Sequence, residues 1–207
     1  MEHHISIRAH FERFPATVKG AFVLRGEGRD PHQVRILAAR VAELASKTAR
    51  PLEIAPATLE VAPHLDLFVP FEFPITDLGP GWYGLEADVE VDGVPEVVHP
   101  GAPFPVAWPR ATTRRGSVPI DKAIPAGGGK ARIEVLECGG DSIRLKYASD
   151  EAVAFSFSAD GAAVAVIAQD FDERASHGVT TAYPVLKTQS TLSIEARGGG
   201  SVDVKLP

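Results

Sequence analysis

The residues best spaced to do chemistry are four carboxylates in the run Gly84-Leu-Glu-Ala-Asp-Val-Glu-Val-Asp92. Glu86, Asp88, Glu90 and Asp92 alternate with Leu85, Ala87, Val89 and Val91, the period of a strand with one buried and one wet face. Successive carboxylates on that face stand about 7 Å apart. Like charges so placed repel. The strip must be relieved by Arg or Lys on a neighbouring strand, stay solvated, or attract Ca²⁺ or a basic peptide. Glu86, Asp88 and Glu90 are therefore the metal candidates, with a solvated face as the plainer expectation.

Other combinations fail on spacing. His3, His4 and His10 include two residues of one strand face, but His4 and His10 would lie about 20 Å apart on an extended chain, too far to share an ion. Cys138 with His177 and Asp170 or Asp172 supplies the types of a nucleophile, base and orienter without the elbow such a triad needs. Cys138-Gly-Gly reads as a strand end entering a turn. Ala126-Gly-Gly-Gly-Lys130 lacks the four-residue gap of a phosphate loop, and Ala131 stands where Ser or Thr is required. Asp160-Gly161 and Asp170-Phe-Asp-Glu173 carry calcium-type oxygens without the twelve-residue loop, and read as turns. No catalytic centre, cofactor or metal site is predicted.

The elements that would position these residues are short strands. Ile5, Ile7, Ala9 and Phe11 alternate with polar residues, and Val18, Gly20, Phe22 and Leu24 form a second such run. Residues 31–46 stay open. Asp30-Pro31 is a helix-start signal, and Val34, Leu37, Val41 and Leu44 have helical spacing, yet Val34 and Ile36 also suit a long twisted strand. Leu59 and Val61 precede an apolar run over 65–75, which Pro70 and Pro74 place at an edge or bulge. Asp92-Gly93 between 84–91 and 94–98 predicts a type I′ hairpin. Tyr83 just before that strand resembles the tyrosine corner of immunoglobulin-like sandwiches.

Further runs lie at 131–136, 142–147, 153–158, 163–168, 180–186, 191–195 and 201–206. Turn signals about every 8 to 12 residues suit a sandwich. The expected architecture is all-β: two tandem β-sandwich domains over 1–109 and 117–207, joined by a polar linker at 110–116. The first is immunoglobulin-like, with one short helix near 31–46 as the open alternative.

Charge narrows the partners. The net charge is −6, and all of it lies in residues 1–109, with nine Lys and Arg against fifteen Asp and Glu; the remainder holds twelve of each. Such a surface disfavours nucleic acid and anionic lipid. No apolar stretch reaches the roughly 18 residues of a membrane span, no signal peptide is legible, and a lone cysteine forms no internal disulfide. The expectation is a cytoplasmic protein.

Phe14-Pro-Ala-Thr-Val-Lys-Gly-Ala-Phe-Val-Leu24 and Phe68-Val-Pro-Phe-Glu-Phe-Pro-Ile75 resemble strands of the amino-terminal sandwich of arrestin-like proteins, a group that includes bacterial sporulation-control proteins; Tyr83 to Val91 fits the strand after them. Ala16 stands where that family has Gly, and no matching motif follows Thr112. The resemblance implies a tandem-sandwich scaffold that binds proteins and does no chemistry. The function expected is thus non-enzymatic binding of a protein partner or a second copy, through sheet surfaces and strand edges. Phe68, Phe71, Trp82, His99 and Trp108 are the candidate surface. A competing expectation is a small-molecule or carbohydrate binder, or a weak hydrolase, with its site between the two halves around Trp82, Trp108 and His99.

Overall fold

The computed structural model describes residues 5–54 and 58–207. All regular structure among them is β-strand, so no helix is available to cross a membrane. The chain divides into two compact units, Met1–Val106 and Ala107–Pro207. The segment read as a linker, 110–116, belongs to the second: Thr113 is buried and bridges Leu186, and the Arg114 amide donates to Val185.

In the first unit, β1 (Ile5–Arg13), β2 (Thr17–Gly26) and β6 (Asp66–Pro74) form a sheet in the order β1-β2-β6. The facing sheet is built on β3 (His32–Glu43) and β7 (Gly81–Val91). Strands β4 (Ala49–Leu52) and β5 (Thr58–Val61) pair with β3, while β8 (Val94–Val98) and β9 (Phe104–Val106) pair with β7. Every strand pairing is antiparallel. One core fills the space between the sheets, with Val18, Phe22, Leu24 and Phe71 from one side and Val34, Val41, Leu85 and Val89 from the other.

Residues 31–46 thus contain a twelve-residue strand, not a helix. The helical spacing has a specific cause. A bulge between Ile36 and Ala38 inserts Leu37, so the buried residues run Val34, Ile36, then Ala39, Val41. The three-residue step across the bulge imitates a helical period, while Leu37 itself is turned out and 50% exposed. The hairpin after β7 has positive φ at both Asp92 (50°) and Gly93 (82°), the requirement of a type I′ turn. The Tyr83 hydroxyl donates to the Gly79 carbonyl at 2.9 Å, pinning the entry to β7, and burial raises its pKa.

In the second unit, β10 (Gly116–Ala126), β11 (Gly129–Cys138), β12 (Ile143–Ala148), β16 (His177–Ala182) and β15 (Val166–Asp172) form a five-stranded sheet in that order. The opposing sheet runs β14 (Ala162–Val164), β13 (Phe155–Ala159), β17 (Thr191–Ala196), β18 (Ser201–Lys205). Ile133, Leu145 and Tyr147 from one sheet and Phe157, Leu192 and Ile194 from the other share its core. Both units are sandwiches by this test of two sheets over one core.

Gly178 fixes the middle of the larger sheet. It pairs with Tyr147, whose ring occupies the space a Cβ at 178 would take. The ring then packs edge-on to Phe155 at 4.9 Å, and its hydroxyl accepts from the Val153 amide at 3.2 Å. Gly178→Ala is therefore expected to displace Tyr147 and destabilise the protein by about 3 kcal/mol. Urea denaturation followed by Tyr fluorescence checks this, and a loss under about 1 kcal/mol would mean the sheet relaxes around the methyl.

Candidate functional site

The carboxylate strip of β7 is paired with cations of β3. Arg40 stands opposite Glu86 and, because of the bulge, diagonal to Asp88. Its Nε donates to Glu86 Oε2 at 2.8 Å and its Nη1 to Asp88 Oδ2 at 2.7 Å. Arg35 lies across from Glu90 at 3.5 Å. His32 Nδ1 meets Asp92 Oδ2 at 2.7 Å, while Asp92 Oδ1 accepts the Gln33 amide. The sequence showed the acids; it did not show their partners, because the register that aligns them depends on Leu37. The two acids hold Arg40 in its charged form, raising its pKa, Asp88 contributing most.

This arrangement makes Glu86, Asp88 and Glu90 the anionic half of an ion ladder. Among the described residues, no group of three or more His, Cys, Asp and Glu is placed to hold a metal. His99 is exposed and 3.8 Å from Glu86 Oε1, at the end of the same strip. His10 sits exposed on β1, and His3 and His4 fall outside the described residues.

The paper triad is not assembled. Cys138 ends β11 opposite Ile143, whose β16 partner is Ala182, whereas His177 lies at the other end of β16. Five residues of strand separate the two levels, about 17 Å. The His177 ring instead donates to the Ala175 carbonyl at 2.6 Å and faces Glu134, which together raise its pKa. Burial pushes the Cys138 thiol up, away from the thiolate a nucleophile needs. Asp172 accepts the Arg174 and Ala175 amides and closes a loop, and Asp170 is a paired strand residue.

The surface candidates separate cleanly. Phe68 is 61% exposed on β6, but Phe71 is only 5% exposed, at 5.0 Å from Phe22 and 6.2 Å from Phe73. Phe71 is core, a correction that strand parity explains: residues 68 and 71 of one strand face opposite ways. Trp82 is half-buried on β7 opposite Pro105, and Trp108 is half-buried with its ring 5.6 Å from Tyr183 in a T-shaped contact. Trp82 and Trp108 belong to different units.

Asp160, at φ 47° in the β13–β14 turn, uses its carboxylate to accept the Thr191 and Ser190 amides at 2.9 and 3.0 Å. Those bonds lower its pKa. It is a turn anchor between β13 and β17.

No protein-family model and no curated protein matches this chain. Among solved structures the chain is similar to the crystal structure of a conserved domain protein from Bacillus anthracis, with 11% identity and a TM-score of 0.31 over 95% of this chain and 74% of that one.

Two outcomes follow from these contacts. Arg40→Met strands Glu86 and Asp88 side by side and is expected to cost about 1 kcal/mol at low salt, the deficit shrinking in molar NaCl. Guanidinium is unsuitable as it screens charge, so urea melts at two salt concentrations measure it; a salt-independent deficit would assign the loss to packing. For Asp160, the folded pKa lies below the unfolded one, so its contribution is full above the unfolded value of about 3.9 and is lost as pH falls through the folded value. Asp160→Asn keeps a residue tolerant of positive φ and should flatten that acid limb, read by urea denaturation between about pH 2 and 5.

Proposed function

We propose that this chain is a binding module that performs no chemistry of its own and engages a protein partner, or a second copy, along the outer edge of β6. The observation that carries this reading is the pair of apolar side chains at the open start of that edge: Leu65 is 64% and Phe68 61% exposed. Strand β6 is the outermost strand of its sheet and pairs on one side with β2.

Backbone groups of an antiparallel strand point alternately toward the neighbour and away from it. Pro70 and Pro74, which lack an N–H, share a parity and fit only the outward set, with Asp66, Phe68 and Glu72. Prolines thus close the far half of the edge and leave 65–69 open to strand addition. On the same face Phe68 covers Val23, and the Lys19–Glu72 and Arg25–Asp66 ion pairs bracket it. A short extended segment with an apolar residue against Phe68 suits that strip. The resemblance of 14–24 and 68–75 to arrestin-like scaffolds, in the same two strands, agrees with it, as do the pairing of Glu86, Asp88 and Glu90 with β3 arginines and the burial of the Cys138 thiol.

Photo-crosslinking in cells from position 68, compared with position 12 on the opposite edge, tests this reading, together with sedimentation velocity of the purified chain. A discrete adduct from 68 alone is expected, with Phe68→Asp weakening the association about tenfold or more and moving stability by less than about 1 kcal/mol. No adduct from 68, with a monomer in sedimentation, would overturn it.

A further inference from the structure

The second unit contains a cavity of about 450 Å³ lined by Arg110, Thr113, Arg114, Arg115, Lys187 and Pro207. That volume is within the roughly 300–1,000 Å³ of small-molecule sites. Four of the six lining residues have cationic side chains and none has an acidic one. The sequence concentrates them: no Asp or Glu occurs in 97–120 or in 174–194.

One cation is structural. Arg114 donates from Nε to the Gln189 carbonyl at 2.6 Å, from Nη1 to the main-chain oxygen of Pro207 at 2.6 Å and from Nη2 to the Lys187 carbonyl at 3.1 Å. It ties three segments together and fixes the cavity wall. Arg110, Arg115 and Lys187 are exposed, and among the described residues they enter no ion pair. The Arg115 guanidinium occupies the space a Cβ at residue 140 would need, so Gly140 provides its seat. Thr113 is fully buried behind this wall and gives it a fixed backing.

We propose that this cavity binds the phosphate group of a small anionic ligand, held by the side chains of Arg110, Arg115 and Lys187. Three uncommitted cations around one cavity suit a dianion better than a single carboxylate. The planar forks of two Arg match phosphate oxygens, with Lys as a point charge. The site is independent of the β6 edge.

The full chain is titrated with inorganic phosphate, glycerol 3-phosphate and succinate at about pH 7.5, where phosphate is mainly dianionic, with ionic strength held constant by NaCl. Thermal unfolding and calorimetry are the readouts. Phosphate or its monoester is expected to raise the midpoint beyond the NaCl control, and Arg110→Gln combined with Lys187→Gln to weaken binding about tenfold or more. Arg144→Gln, on β12, should bind as the parent does. Tighter binding of the monoester identifies an organic phosphate as the ligand; tighter binding of inorganic phosphate identifies the free ion. The proposal is overturned if phosphate shifts the midpoint no further than NaCl, if succinate matches it, or if the double variant, folded by circular dichroism, binds unchanged.

Discussion

The register of β3 against β7 is the constraint on which the first unit depends. A one-residue slip in an antiparallel pair turns every side chain to the other face. Here that would carry Val34, Ile36, Ala39 and Val41 into water and Arg35 and Arg40 into the core, so the apolar and ionic patterns select the same pairing. The Leu37 bulge reconciles them. Without it the strand would keep its phase, and either the first or the second half of its apolar set would face outward. The ion ladder is thus a consequence of core packing, and its contribution lies as much in excluding the slipped register as in net attraction across a half-exposed face.

Strand alternation was legible wherever a strand ran without interruption. The β1, β2 and β7 faces can be read residue by residue, and Asp92-Gly93 announces its turn because only a few residues tolerate two positive φ angles in succession. Legibility failed at irregularities. Bulging made β3 look helical. The long strand β10 was missed because Pro119 and Pro125 suggest a loop and the register shifts between Pro119 and Lys122, with Asp121 at φ 48°. The apolar run at 163–168 read as one strand, yet it divides between the two sheets, β14 on one and β15 on the other. A break of that kind costs one residue and leaves no compositional mark.

Site residues divide along the same line. That Phe68 and Phe71 cannot share a face follows from parity alone, so the sequence already held the means to separate them. The cations opposing Glu86, Asp88 and Glu90 could not be assigned, since pairing partners depend on a bulge between strands nearly fifty residues apart, as Arg40 and Glu86 show. The basic cavity had a signal that net charge conceals: two acid-free stretches, one holding Arg110, Arg114 and Arg115 and the other Lys187.

Net charge and local charge therefore give opposite accounts of the two units. The first carries the entire excess of −6, yet in its densest acidic strip Glu86, Asp88 and Glu90 are all paired with Arg40 or Arg35 across β3 and β7. The second is neutral in sum, yet leaves three cations unanswered around one cavity. Screening makes the local account the relevant one, since a carboxylate more than about 8 Å away neutralises little at physiological ionic strength. Asp160, which acts on Arg114, is already committed to the Ser190 and Thr191 amides and the Ser190 hydroxyl. Arg110, Arg115 and Lys187 therefore set the local charge of that cavity, whose lining includes no acidic side chain to offset them.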